Sequence, residues 1–159
     1  MYLDRPPKTC AGTQLRMSRR APVEGLLGVE VLPVVFANLS AQPCRISGYP
    51  DVQALNARRA RVHVKIVQGA YGPKEPQRVS RVILAAHGGR GVFGVSFIDH
   101  PAGSGKDWRH CHRFRLVRAR LPGERAFHTV SFQFGHAKGT EHWLSACDEL
   151  LVSPLGPAG

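Results

Sequence analysis

From residue 13 to residue 154 the chain is a succession of short β-prone runs cut by turn residues, and no stretch of it keeps a helical period. The runs are "TQLRMS", "VEVLPVVFAN", "VQALNA", "VHVKIV", "RVSRVILAA", "VFGVSFI", "HRFRLVRARL", "FHTVSFQF" and "DELLVSP". Glycine and proline separate them at "SGYPD", "GAYGPKEP", "HGGRG", "HPAGSGKD" and "LPGE". Short strands at such spacing indicate an all-β sandwich or barrel. "RVHVKIV" alternates cleanly, which predicts Val62, Val64 and Ile66 on a core face and Arg61, His63 and Lys65 in water. Pro33 lies inside a strand-like run and is expected at an edge or a bulge, because it has no N–H to give to a ladder. At 159 residues the chain is the size of one domain. The boundaries read as an N-terminal flank over 1–9, one β-sandwich over 10–154 and a frayed tail over 155–159.

The stretch "CRISGYPD" (44–51) reads as a corner between two strands. Gly48 can take a backbone conformation other residues avoid, Pro50 fixes its own φ and restrains Tyr49, and Tyr49 can bury its ring. The four cysteines, Cys10, Cys44, Cys111 and Cys147, form no CxxC pair, which argues against zinc ribbons and dithiol redox sites. They allow three connectivities; the one closing the shortest loops is Cys10–Cys44 with Cys111–Cys147. Each bridge would then close about 35 residues and contribute roughly 3.8 kcal/mol by chain entropy. Disulfides place the protein outside the reducing cytosol; four buried thiols are the alternative.

These residues carry a resemblance. Cys10, then Phe36 and Asn38 at a strand end, then Cys44, Ile46, Gly48, Tyr49 and Pro50 with Val52 and Leu55 following, are similar to the actinobacterial domain-of-unknown-function family numbered 4232. Gly88-Gly89, Cys111, Pro122-Gly123, and Cys147 before Leu150 and Val152 continue the similarity to about residue 154. "LAAHGG" departs from it in lacking a proline before the glycine pair. "MYLDRPPKTC" offers no counterpart of the family's export or lipoprotein segment. The resemblance implies an immunoglobulin-like sandwich, secreted or attached to the cell envelope, often in mycobacteria and streptomycetes. It implies no activity.

"GRGVFG" (89–94) has the glycine spacing of a dinucleotide loop, but a β-run follows it where a helix is required. "GSGKD" (103–107) places Asp107 where a phosphate loop needs Ser or Thr. "Asn38-Leu39-Ser40" is a formal glycosylation sequon, read more simply as a strand-end asparagine bonding its own turn. Asp99 and His100 are adjacent and Ser96 lies within a strand, so no nucleophile stands on a turn beside a base, and no enzyme activity is expected. No cofactor is expected either.

Two surface features point to binding. In "WRHCHRF", His110 and His112 would share a strand face opposite Cys111, at a spacing that could chelate Zn²⁺ or Cu²⁺ with His100, His136 or His142 as a third ligand. In "HRFRLVRARLPGER", Arg113 and Arg115 share one face and Arg118 and Arg120 the other parity, unless a bulge near Leu116-Val117 resets the strand. With that reset, Val117, Ala119 and Leu121 turn inward and Arg118 and Arg120 face water. The net charge is +11 and 17 of the 22 basic residues are arginine, which suits bidentate contacts to phosphate or carboxylate. A GC-rich coding sequence would produce the same excess. Aromatics are not seen interleaved with these arginines, which argues against single-stranded nucleic acid. No apolar run approaches the roughly 18 residues of a membrane-spanning helix. The expectation is therefore an immunoglobulin-like antiparallel β-sandwich of seven to nine strands with two disulfides. It would act as a non-catalytic binding module for an envelope lipid, glycan or acidic protein, or alternatively as a metal-binding protein; the oligomeric state is open.

Overall fold

The structure is a computed structural model that describes residues 5–21, 23–24, 29–70, 76–99, 108–131 and 144–158. These residues form β1 (Leu15–Arg19), β2 (Val23–Glu24), β3 (Val29–Asn38), β4 (Cys44–Ile46), β5 (Asp51–Leu55), β6 (Arg61–Val62) and β7 (Lys65–Gln68). They continue with β8 (Val82–Leu84), β9 (Gly89–Ile98), β10 (Cys111–Phe114), β11 (Leu116–Arg120), β12 (His128–Ser131), β13 (Leu144–Val152) and β14 (Gly156–Pro157). Nine of these are four residues or longer, at the top of the expected range. The chain is all-β, and its pairings are antiparallel except β7 with β13 and an isolated bridge from Thr9 to Arg45.

One sheet runs β1-β3-β9-β13-β10, with β2 extending β1 beside β3, β14 beside β9, and β7 beside β13. A second runs β12-β11-β5-β6, and β4 pairs with β8 in a small third sheet. Between them lies one core. β3 sends Leu32, Val34 and Phe36 inward, β9 sends Phe93, Val95 and Phe97, and β5 and β11 answer with Val52, Ala54, Val117 and Ala119. Phe97 meets Phe114 edge-on at 5.3 Å between centroids, both fully buried. Burying each such ring is worth about 1.5–3 kcal/mol. This is the layered architecture of an immunoglobulin-like sandwich, and both disulfides are formed as expected, Cys10–Cys44 and Cys111–Cys147.

Irregularities fall where local chemistry demands them. Gly94 turns both its backbone groups toward Ser153, its N–H donating to Ser153 Oγ and its carbonyl accepting the Ser153 N–H, so opposite it Pro33 points its missing N–H away from β9, toward β1 and β2. On that side three residues separate Arg19 from Val23, but only two separate Val31 from Val34. The proline thus faces a bulge. β13 has its own bulge: three residues lie between Cys147 and Leu151 where β9 has one between Ile98 and Ser96, and Asp148 there has φ 70°. Gly91 sits directly beneath the ring of Phe36, where a Cβ would overlap it. Of the "GRGVFG" glycines, all three lie in β9, so the motif serves strand packing and not a nucleotide.

Two expectations are corrected. "RVHVKIV" is not one strand. Val64 N–H bonds Val62 O, the run bends there, and it passes from the second sheet (β6) to the first (β7). Val62, Val64 and Ile66 still all face the core. The outer boundaries are also wider than 10–154. Thr9 bridges Arg45 and the Lys8 carbonyl accepts the Arg45 N–H. The expected tail is not frayed, because Leu155 is fully buried and β14 adds to β9.

Candidate functional site: an arginine platform on the four-stranded sheet

The reset of the arginine-rich run is physical and abrupt. β10 ends at Phe114, which is fully buried, and Arg115 gives its N–H to Leu55 O as the chain crosses to the other sheet. β11 then begins with the opposite parity: Val117, Ala119 and Leu121 are each 1% exposed, and Arg118 and Arg120 turn outward. The four expected arginines are therefore not one site. Arg113 lies exposed on β10 in the larger sheet, Arg115 is at the crossing, and only Arg118 and Arg120 share a face.

That face is built by register. Arg118 stands between Gln53 on β5 and Thr129 on β12, and Arg120 stands opposite Asp51. Arg118 Nε donates to Gln53 Oε1 at 2.7 Å, and Arg120 Nη2 donates to Asp51 Oδ2 at 2.6 Å. Both guanidinium carbons lie 4.7 Å from the centroid of the Phe127 ring, which is half-buried. Exposed ion pairs contribute about 0–1 kcal/mol and cation–π contacts about 0.5–1 kcal/mol at such sites. Their main effect is order: two long side chains are held side by side before any partner arrives. Each guanidinium has five N–H donors, of which the contact to Gln53 or Asp51 engages one. Phe127 is the residue that sequence reading missed. The signal was in the β11–β12 hairpin: one step beyond the Ala119↔His128 pair, Phe127 falls opposite Arg120.

Beneath the same hairpin lies a second constellation with no sequence signature. The Glu124 side chain is only 2% exposed; Oε1 accepts the Leu121 N–H at 3.0 Å, and Oε2 meets His128 Nε2 at 2.7 Å. The carboxylate also presses on Gly12, where there is no room for a Cβ. It clamps the N-terminal turn (Gly12–Gln14) against the hairpin.

The other expected residues take structural or separate places. Trp108–His110 form a 3₁₀ turn, so the strand alternation begins only at Cys111 and does not put His110 and His112 on a common strand face. His110 is exposed and His112 is half-buried opposite Ala146. Among the described residues no group of three or more His, Cys, Asp or Glu is placed to hold a metal ion; His100, His136 and His142 lie outside them, as does Asp107 of "GSGKD". Gly48 has φ 108° and its carbonyl accepts the Leu155 N–H at 2.8 Å, Tyr49 is half-buried and Pro50 is buried, which makes the corner a structural one. Asn38 is fully buried. Its Nδ2 donates to Gln42 O at 2.7 Å and its Oδ1 accepts from Ser40. Among the described residues no helix is long and apolar enough to cross a membrane.

No curated protein and no solved structure matches the chain. Residues 10–156 match the profile of a domain of unknown function, DUF4232, the family whose cysteine, Phe-x-Asn and Gly-Tyr-Pro elements were quoted above. With that match spanning nearly all of the fold, the chain belongs to the DUF4232 family.

Proposed function

We propose that the protein is a non-catalytic, extracytoplasmic binding module whose partner is anionic: a phospholipid headgroup, an acidic glycan or an acidic protein surface. The observation that carries this reading is the pair Arg118 and Arg120, both held against Phe127 and bonded to Gln53 and Asp51 on an outward sheet face. Planar, pre-positioned guanidinium groups lose little freedom on meeting a phosphate or carboxylate. The two disulfides support a location outside the reducing cytosol.

The test separates a site from bulk charge. Binding to anionic vesicles and to acidic glycans is measured at about 150 mM salt, where screening shortens to about 8 Å. Arg118→Glu with Arg120→Glu should abolish it, whereas Arg58→Glu with Arg59→Glu, in the exposed turn after β5, should reduce it only modestly. Equal losses would assign the binding to net charge, and no binding by the wild type would remove the reading.

A further inference from the structure

We propose that the outer edge of β8 takes up an extended acidic peptide as an added strand. Arg45 gives its N–H to Lys8 O, and its carbonyl accepts from Cys10 N–H, both at 2.9 Å. Both groups of Arg45 thus face the N-terminal segment. Alternation along β4 then turns Cys44 and Ile46 toward β8, so the bonded pairs are Cys44↔Leu84 and Ile46↔Val82. Ile83 sits opposite Arg45 in a non-bonded pair, and its own N–H and C=O point away from β4. Among the described residues no strand pairs with β8 on that side.

The side chains say what would fit. Burial alternates strictly over 81–85: Val82 and Leu84 are buried, while Arg81, Ile83 and Ala85 are exposed. Ile83 is 58% exposed and Val79, just upstream, 55%; they are two of the three large apolar side chains exposed among the described residues. Exposed Arg78 and Arg81 lie beside them, and Arg45 stands across from Ile83 on the same face. A strand added here would set an apolar side chain against Ile83 and an acidic one against Arg81, with its backbone bonded to Ile83. This is a small extended peptide with alternating apolar and acidic residues on one face. The edge belongs to the small β4–β8 sheet, so this inference stands apart from the arginine platform.

The probe is a short fluorescent peptide repeating Val-Thr-Asp-Thr, with a Val-Thr-Lys-Thr control, read by anisotropy. The wild type should prefer the aspartate peptide by about tenfold or more. Ile83→Pro leaves the charge and the β4 pairing intact but removes the outward N–H; it should keep the melting temperature and weaken the aspartate peptide about tenfold. Arg81→Glu should reverse the preference between the two peptides, and this variant decides the matter if Ile83→Pro lowers the melting temperature. No binding by the wild type, equal binding by Ile83→Pro at an unchanged melting temperature, or an unchanged preference in Arg81→Glu would each overturn the proposal. So would a peptide-free dimer in sedimentation that Ile83→Pro dissolves, because the occupant would then be a second copy.

Discussion

The two disulfides close loops of almost equal length, with separations of 34 and 36 residues, yet they tie down very different things. Cys111 and Cys147 face each other in an existing ladder of four residue pairs, on a strand already anchored by buried Phe114. Cys10 lies on a segment attached to β4 by one isolated bridge, made by the two backbone bonds of Arg45, and by the Arg45 Nε bond to Pro7 O. Chain entropy depends on loop length and treats the two alike. Local order does not: one bridge duplicates an existing attachment, and the other is the main attachment. Global stability and local opening can therefore be separated in this molecule.

The sharpest test removes the anchor that makes the second bridge redundant. Phe114→Ala should cost about 3–5 kcal/mol in urea denaturation, through lost burial and the cavity against Phe97. A loss below about 2 kcal/mol would mean that β10 is held by its disulfide after all. Next come the bridges. Replacing either cysteine pair by alanine should cost roughly 3.8 kcal/mol, with the two values within about 1 kcal/mol of each other. Hydrogen exchange should then split them. The Arg45 amide should become fast without Cys10–Cys44, while the β10 amides stay protected without Cys111–Cys147. Equal acceleration in both regions would defeat the comparison.

A smaller effect is expected from Glu124→Ala. It strands the buried Leu121 N–H, frees His128 and unclamps Gly12, at a cost of about 1–3 kcal/mol. Exchange should rise in the Gly12–Gln14 turn and not in β10, because Glu124 supports only the N-terminal side. The smallest effect belongs to the platform. Arg118→Ala should lower stability by no more than about 1 kcal/mol. A loss above about 2 kcal/mol would make the platform part of the scaffold and not a surface waiting for a partner.

Much of this was legible in the sequence because it was written locally. Alternation placed Val62, Val64 and Ile66 inward, cysteine spacing gave the connectivity, and Gly48 marked a corner that indeed needs a positive φ. What alternation cannot encode is which sheet a strand joins. Both "RVHVKIV" and "HRFRLVRARL" cross between sheets while reading as single runs, since the pattern reports facing and not partners. The crossing at Arg115 is what separates Arg113 from Arg118 and Arg120. Phe127 and Glu124 escaped for a related reason: their roles come from a hairpin register and from Gly12, more than a hundred positions away in the chain. The last strand looked like a tail because Pro154, Gly156 and Pro157 are turn residues by composition; the pairing of β14 with Gly91 and Val92 is tertiary.

The buried Asn38 amide has a practical consequence for producing this protein in eukaryotic cells. Oligosaccharyl transfer acts on sequons in nascent, unfolded chain, so "Asn38-Leu39-Ser40" is a substrate there before the corner closes. The same nitrogen that would carry the sugar donates to Gln42 O in the folded protein, in a position with no exposed surface. Glycan attachment and closure of this corner are mutually exclusive. A secretory host would divide the product into unmodified, folded molecules and modified ones held back by quality control, and Asn38→Gln would not restore yield because the longer side chain cannot reproduce the bonds to Gln42 and Ser40. Ser40→Ala would remove the sequon and keep the Asn38 bonds to Gln42 O and the Ser40 N–H, at the loss of the Ser40 Oγ bonds to Asn38 and Gln14.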